Sequence, residues 1–183
     1  MKIILMGIQG SGKSTQGNLL SKKLGLPYLS SGHIFRQMAK EKTAWGRYVK
    51  ETINAGILIP DSKVVPIIEE YLSKPEYQNG YILDGFPRTV VQARAFKDKI
   101  IIVFYLEVSD REALWRLSYR NGEIREDETV RAVRKRIELF HKLTKPVLSY
   151  YKRKSILAVI NGEQSITKVQ RDMLKALGHQ KKS

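Results

Sequence analysis

The sequence predicts an α/β fold in which a five-stranded parallel sheet is flanked by helices on both sides. Short apolar runs lack the alternation of half-exposed strands, and segments with helical spacing separate them. The chain has 183 residues, 42% of them hydrophobic, which suits one domain over residues 1–183. The predicted strands are Ile3–Met6, Pro27–Leu29, Tyr81–Leu83, Ile100–Leu106 and Ile156–Ile160. We expect ligands at their C-terminal ends.

The first predicted strand is followed by a glycine-rich loop, Gly7–Thr15, which reads GIQGSGKST and opens into an amphipathic helix. Glycines allow backbone N–H groups to turn around an anion, and the helix N-terminus adds its dipole. Lys13 can reach the β- and γ-phosphates, and the Ser14 or Thr15 hydroxyl can ligate Mg²⁺. The loop therefore predicts a nucleoside triphosphate site made by Gly10, Ser11, Gly12, Lys13, Ser14 and Thr15.

A helical insertion is predicted between the second and third strands, over residues 30–59. The residues Ser30-Ser31-Gly32 offer caps for a first helix, and a second helix runs from about Trp45 to Ala55 and ends at Gly56. Asp61 or Ser62 is expected to cap the helix that follows. The insertion could be structural decoration, but Arg36, one turn into a helix, suggests an anion-binding role.

A carboxylate follows the third strand in the stretch Asp84–Arg88, which reads DGFPR. A carboxylate at a buried strand end beside a phosphate loop is well placed to order Mg²⁺ and its waters. Gly85 permits close backbone approach, and Pro87 stiffens the turn that presents Arg88. The alternative reading is that Asp84 caps a turn and Arg88 begins a solvated helix.

Four arginines are spread over two predicted helices and the link between them. Converging guanidinium groups suit polyphosphate, although a solvated basic face is the ordinary reading of any single one. Farther on, Thr144 is expected to start a helix with Pro146 in its first turn. Gly162, after the last strand, could bring backbone close to a base or simply form a turn. The arginines are Arg116, Arg120, Arg125 and Arg136.

The formal net charge is +15, which is compatible with a nucleic-acid surface, with binding of small polyanions or with a basic solvated exterior. The chain has no cysteine, which excludes disulfides and thiolate zinc sites. The apolar run near the N-terminus is too short for a signal peptide, and no long apolar stretch follows. We therefore expect a cytoplasmic protein that has no membrane partner.

Taken together, the motifs resemble those of the adenylate kinase family nearly end to end. The phosphate loop to Gln16, the stretch Leu29–Arg36 and the signature Asp84–Arg88 with Gln92 are similar to that family's motifs. The downstream pattern also matches, with Arg125-Glu-Asp127, Arg136, Thr144-Lys-Pro146 and Tyr150-Tyr151. The resemblance implies reversible phosphoryl transfer from MgATP to AMP giving two ADP. It also implies a core domain, an AMP-binding insertion at 30–59, a short lid at 120–127 and a monomer.

The resemblance also assigns residues by position. Asp84 would hold Mg²⁺ through water, and Ser14 would ligate it. The implied catalytic residues are Lys13, Arg88, Arg116, Arg125 and Arg136. To the ATP site it adds Arg116, Arg120 and Gly162 beside the phosphate loop. The implied AMP site consists of Ser31, Arg36, Ile59, Gly85, Arg88, Gln92, Arg125 and Arg136.

Three departures from the family pattern stand out. His33 lies where many members carry an acidic residue, which puts part of the hold on Mg²⁺ in doubt. Ile8 and Gln9 replace residues that are commonly proline, which should loosen the loop. The lid is too short for a zinc-binding hairpin, so no structural zinc is expected.

Two other functions compete with this one. A UMP/CMP kinase would share the fold and chemistry, but Ser31 and Gln92 resemble the pair that reads adenine. A P-loop nucleic-acid-binding protein would account for the charge, but it does not explain why Arg36 and the Asp84–Arg88 signature occur together. We therefore do not expect a nucleic-acid partner.

Overall fold

A computed structural model describes residues 1–119 and 129–180, apart from the side chains of residues 179–180. Its sheet has five parallel strands in the order β2-β3-β1-β4-β5, so the predicted fold class is confirmed. Each predicted strand is present with ends shifted by one or two residues. The strands are β1 (Lys2–Met6), β2 (Tyr28–Ser30), β3 (Tyr81–Asp84), β4 (Ile102–Glu107) and β5 (Leu157–Asn161).

Helices cover both faces of the sheet, and the side chains of each strand divide between two cores. On β1, Ile3 and Leu5 pack in the core that includes Leu20, whereas Ile4 and Met6 pack in the core on the opposite face. This alternation of fully buried side chains explains why the strands read as continuous apolar runs. The helices are α1 (Lys13–Leu24), α2 (Ser31–Met38), α3 (Ala44–Asn54), α4 (Asp61–Leu72), α5 (Val90–Ala95), α6 (Asp110–Ser118), α7 (Val130–Leu139), α8 (Lys145–Arg153) and α9 (Ile166–Gln180).

The helix boundaries follow the predicted caps at most positions. Ser30 caps α2 by accepting a hydrogen bond from the backbone N–H of His33, at 3.4 Å. Thr43 caps α3 through the N–H of Gly46, at 2.9 Å, so this helix begins and ends one residue earlier than predicted. Gly56 follows with φ of 70°, as expected for a residue that leaves a helix in the left-handed region.

The predicted cap of α4 is wrong. Pro60 occupies the N-cap position, Asp61 is the first helical residue, and no side chain caps this helix. The Asp61 carboxylate instead accepts hydrogen bonds from Thr89 and Gln92, which lie in another part of the chain. Tertiary partners have therefore taken the side chain that the local pattern assigned to the helix end.

Thr144 and Pro146 occupy the start of α8 as predicted, with Thr144 at the N-cap. A π-helical turn over Phe140–Thr144 joins α7 directly to α8. Tyr151 is buried in the core, and the partly buried Tyr150 packs against it. The joined helices carry Arg136 and Thr144 to the same end of the sheet as the phosphate loop.

Candidate active site

A cleft of about 380 Å³ opens at the C-terminal ends of the strands. In the sheet, Asp84 pairs with Leu5 of β1 and with Ser30 of β2, so the ends of three strands meet at this edge. The loops that follow these strands line the cleft together with α6 and α7. This is the position at which open parallel sheets bind ligands.

The phosphate loop has the backbone that the glycines predicted. Gly10 and Gly12 have φ of 88° and 89°, in the left-handed region that favours glycine. A Cβ at Gly10 would also lie 2.5 Å from the carbonyl oxygen of Ala113 on α6, so larger residues do not fit. The Lys13 ammonium donates hydrogen bonds to the carbonyl oxygens of Gly7 and Ile8, each at 2.8 Å. Its charge is therefore held over the loop.

The two carboxylate oxygens of Asp84 have different surroundings. The side chain is buried, and Oδ2 accepts a 2.6 Å hydrogen bond from the hydroxyl of Tyr28. Burial, followed by the Asp84 charge, raises the pKa of Tyr28 above its usual range, so the hydroxyl stays protonated and donates. Oδ1 is buried and accepts no hydrogen bond from any described residue. A buried carboxylate oxygen of this kind, in a cleft that Ser14 also lines, fits a hydrated Mg²⁺ ion.

The insertion contributes a second buried polar atom, the hydroxyl oxygen of Ser31. Ser31 is 2% exposed, and among the described residues none forms a hydrogen bond with its hydroxyl oxygen. A Cβ at Gly85, where φ is 80°, would lie 2.6 Å from that oxygen, which explains the glycine. Arg36 and Ile59 line the same cleft. Such an unsatisfied hydroxyl is costly unless a ligand completes its hydrogen bonding.

Arg88 and Gln92 are tied to their surroundings through the backbone of the Asp84–Arg88 turn. Arg88 Nε donates to the carbonyl oxygen of Gly85, at 2.7 Å, and Thr144 Oγ1 donates to the carbonyl oxygen of Arg88, at 2.9 Å. Gln92 is 1% exposed, and its Oε1 accepts from the N–H of Arg88, at 2.7 Å. Asp84 and Arg88 both line the cleft, and the helix that follows begins at Val90 with Thr89 at its N-cap rather than at Arg88.

Arg116 and Arg136 reach the cleft from α6 and α7. Arg116 Nε donates to Glu112, at 2.7 Å, and Nη2 donates to the carbonyl oxygen of Gly162, at 2.9 Å. Arg136 Nη1 donates to the side-chain oxygen of Gln9, at 3.2 Å, and Nη2 to the carbonyl oxygen of Ile53, at 2.8 Å. Gln9, one of the departures from the family pattern, thus contacts a predicted site residue.

Most predicted site residues meet in this one cleft. Ser11 and Gly162 adjoin it, through the Lys13 ammonium and the Arg116 guanidinium respectively. Arg120, Arg125 and the predicted lid at 120–127 lie outside the described residues. The predicted residues that line the cleft are Gly10, Gly12, Lys13, Ser14, Thr15, Ser31, Arg36, Ile59, Asp84, Gly85, Arg88, Gln92, Arg116 and Arg136.

His33 does not line the cleft, although Gly32 before it and Phe35 and Arg36 after it do. The side chain is exposed, and its Nε2 lies 3.4 Å from the side-chain nitrogen of Gln37, one turn along α2. Over residues 1–119 and 129–180, no three His, Cys, Asp or Glu side chains cluster as a metal site would require. In the same part of the chain, no helix is long and apolar enough to span a membrane.

Two residues that hold the site in place carry no functional signal in the sequence. The sequence predicts only a strand at Tyr28, whose partner Asp84 is 56 residues away. It predicts a helix cap at Asp61, which instead contacts Gln92, 31 residues away. No local pattern marks either pair, because the contacts depend on how β2 and α4 pack beside the Asp84–Arg88 turn.

The parallel sheet, the glycine loop between β1 and α1 and the arginine-lined cleft define a P-loop nucleotide-binding protein. A family model described as Adenylate kinase matches residues 5–156. Curated proteins called adenylate kinase are similar over nearly the whole chain. That of Caldicellulosiruptor bescii is 37% identical over 97% of this chain and 99% of its own length. Those of Caldicellulosiruptor saccharolyticus and Acetivibrio thermocellus are 34% and 33% identical over 97% of this chain, and over 99% and 98% of their own lengths.

The chain therefore belongs to the adenylate kinase family, whose members are phosphotransferases that transfer a phosphoryl group reversibly between ATP and AMP.

Proposed function

We propose that this chain transfers a phosphoryl group from MgATP to AMP, giving two ADP, and catalyses the reverse reaction. The observation that carries the proposal is that one cleft is lined both by the phosphate loop and by Arg36, Arg88, Arg116 and Arg136. Lys13 and four guanidinium groups supply the positive charge that the triphosphate of ATP, the phosphate of AMP and the transferred phosphoryl group need.

The proposed reaction needs no covalent intermediate with the protein. The attacking AMP phosphate is already an anion, so no general base is required. Catalysis then rests on alignment of the two nucleotides and on neutralisation of charge that develops on the transferred group. Closure of the site must also exclude water, which would otherwise accept the phosphoryl group.

On the ATP side, we assign phosphate binding to the loop residues Gly10–Thr15, with Arg116, Arg120 and Gly162 beside them. Two features support this side of the site: Lys13 lies over the loop, and Arg116 is hydrogen-bonded to Gly162. The AMP phosphate is assigned to Arg36, Arg88, Arg125 and Arg136. Arg120 and Arg125 keep their assignment from the resemblance alone.

The AMP base is assigned to Ser31, Ile59, Gln92 and the backbone of Gly85. The Ser31 hydroxyl, which has no hydrogen-bond partner among the described residues, and the buried Gln92 amide support a pocket that binds a ligand through hydrogen bonds. A base that leaves these groups without hydrogen bonds binds much more weakly, so the pocket selects between acceptor nucleotides. The insertion at 30–59 would form the AMP-binding part of the protein.

We infer that Asp84, through water, and the Ser14 hydroxyl hold the Mg²⁺ that accompanies ATP. The support is the buried Asp84 Oδ1 that accepts no hydrogen bond from the described residues. When bound, the metal neutralises part of the phosphate charge.

A short lid at 120–127 would complete the site. The alignments with relatives run over 213 residues or more, against 183 in this chain, so the relatives carry residues that this chain lacks. The monomeric state, the cytoplasmic location and the absence of a structural zinc stay predictions from the sequence.

A coupled assay that offers AMP, CMP, UMP and GMP as phosphoryl acceptors tests the proposal. We expect AMP to be used with the highest kcat/KM. A preference for CMP or UMP would instead identify the chain as a pyrimidine nucleotide kinase. Binding of an oligonucleotide that weakens steeply with salt, in a protein without transfer activity, would favour the nucleic-acid-binding alternative.

A further inference from the structure

Asp61, the first residue of α4, connects the chain just after the insertion to Thr89 and Gln92 at the start of α5. Its Oδ1 accepts a hydrogen bond from Gln92 Nε2, at 2.8 Å, and its Oδ2 accepts one from Thr89 Oγ1, at 2.9 Å. Thr89 in turn caps α5 by accepting from the N–H of Gln92, at 3.1 Å. Both oxygens of the Asp61 carboxylate are therefore used to hold the first turn of α5.

The Gln92 amide has only one orientation in which both of its neighbours are satisfied. Its Oε1 faces the N–H of Arg88, which can only donate, and its Nε2 faces the Asp61 carboxylate, which can only accept when ionised. If the amide turned over, its oxygen would face the carboxylate and its NH₂ group would face the N–H. Both contacts would be repulsive, so Asp61 and the Arg88 backbone fix the amide between them.

A fixed amide presents its remaining groups in a fixed order. A glutamine amide has two N–H donors and two acceptor lone pairs, and the two protein contacts use one of each. One donor and one acceptor remain, which matches an adenine edge, where an amino group lies beside a ring-nitrogen acceptor. The edge of a 6-oxo purine has a carbonyl acceptor beside an N–H donor, so it would need the amide turned over.

We propose that Asp61 is a positioning residue that sets the selectivity for the acceptor base by fixing the orientation of the Gln92 amide. The inference rests on the proposed function, in which Gln92 contacts the base of AMP. Asp61 affects the base through Gln92, so its loss should change the preference for AMP only where Gln92 is present to be misoriented.

A double-mutant cycle tests the proposal with binding rather than turnover. Dissociation constants for AMP, IMP and ATP are measured by calorimetry for the unmodified protein, Asp61→Ala, Gln92→Ala and the double variant. We expect Asp61→Ala to weaken AMP binding about tenfold, the effect of one hydrogen bond to a charged group, and to reduce the preference for AMP over IMP. ATP binding should not change. In the Gln92→Ala background, Asp61→Ala should change AMP binding less than about twofold.

The outcomes separate the inference from the function on which it rests. An equal loss of AMP binding from Asp61→Ala with and without Gln92 would show a merely structural role and overturn the inference alone. If Gln92→Ala leaves AMP binding unchanged, the proposed base pocket is wrong and the inference falls with it.

Two further variants guard against a simple folding defect. Asp61→Asn keeps the size of the side chain and removes the charge. The asparagine amide has both a donor and an acceptor, so it can form a hydrogen bond with the Gln92 amide in either orientation. We expect Asp61→Asn to lower the AMP preference over IMP even if Asp61→Ala does not fold, and an unchanged preference would overturn the inference. Ser62→Ala, at an exposed neighbour on α4, is the matched control and should bind all three nucleotides normally.

Discussion

Lys13 is the residue whose charge the phosphate loop holds, through hydrogen bonds to the carbonyl oxygens of Gly7 and Ile8. We expect Lys13→Ala to lower phosphoryl transfer by a factor on the order of 10²–10³, or roughly 2.7–4 kcal/mol, by analogy with the loss of one oxyanion-hole donor. Steady-state kinetics measure the loss. Lys22→Ala, at an exposed lysine of the same helix, is the control. Near-normal turnover in Lys13→Ala would contradict a catalytic role for the loop.

His33 tests how the charge at one position affects the metal. The side chain is exposed and contacts Gln37, but its backbone N–H is bound to Ser30, whose strand position pairs with Asp84. A carboxylate at position 33 would raise the local Mg²⁺ concentration. We therefore expect His33→Asp to reach half-maximal rate at lower Mg²⁺ than the unmodified protein.

The control for His33 is His33→Asn, which removes the imidazole without adding charge and should leave the Mg²⁺ requirement unchanged. Rates are measured against Mg²⁺ concentration at constant nucleotide. Superimposable curves for His33→Asp and the unmodified protein would show that position 33 has no part in holding the metal.

At the scale of the element, α3 depends on one side chain at its start. Thr43 accepts a 2.9 Å hydrogen bond from the N–H of Gly46, and its removal should cost about 1 kcal/mol of folding stability. We expect Thr43→Ala to lower the denaturation midpoint and to increase amide exchange across Ala44–Asn54. Thr52→Ala, at a half-exposed position of the same helix, removes a hydrogen bond to the carbonyl oxygen of Tyr48 and serves as the control. An equal effect of both variants would mean that the cap contributes nothing specific.

At the scale of the whole molecule, three tyrosines whose pKa values are raised make folding sensitive to alkaline pH. Burial raises the pKa of Tyr28, Tyr81 and Tyr151 above the usual value. Below about pH 10 these tyrosines are protonated in both the folded and the unfolded chain. Above it, the unfolded chain loses their protons while the folded protein keeps them, so stability falls as pH rises. Each tyrosine contributes up to about 1.4 kcal/mol per pH unit to this fall in stability, so the three contribute up to roughly 4 kcal/mol per pH unit.

Denaturant unfolding at several pH values between about 9 and 11.5 measures this slope. Tyr81→Phe keeps the buried ring and removes the hydroxyl that donates to Asp98, at 2.5 Å. We expect Tyr81→Phe to have a lower unfolding free energy at about pH 9. Its unfolding free energy should then fall less steeply with pH, by up to about 1.4 kcal/mol per pH unit, which is the contribution of one tyrosine. A slope that is the same in both proteins would show that Tyr81 does not titrate with unfolding.

The sequence by itself determined the sheet, the phosphate loop and most of the residues that line the cleft. Each of these follows from a local pattern in the sequence, such as an apolar run, the spacing of glycines or a polar residue just after a predicted strand. Residues 3–6 form a buried strand because the run is continuously apolar, and the helix begins at residue 13 because it follows the glycine loop.

Only the tertiary structure decided which side chains hold the site in place. The Asp61 carboxylate accepts hydrogen bonds from Gln92 and Thr89 instead of capping its own helix. Tyr28 donates a hydrogen bond to one oxygen of Asp84, and no described residue donates to the other. These partners lie 28 to 56 residues apart. Their contacts arise from the pairing of β2 with β3 and from the packing of α4 against α5, which no local pattern in the chain encodes.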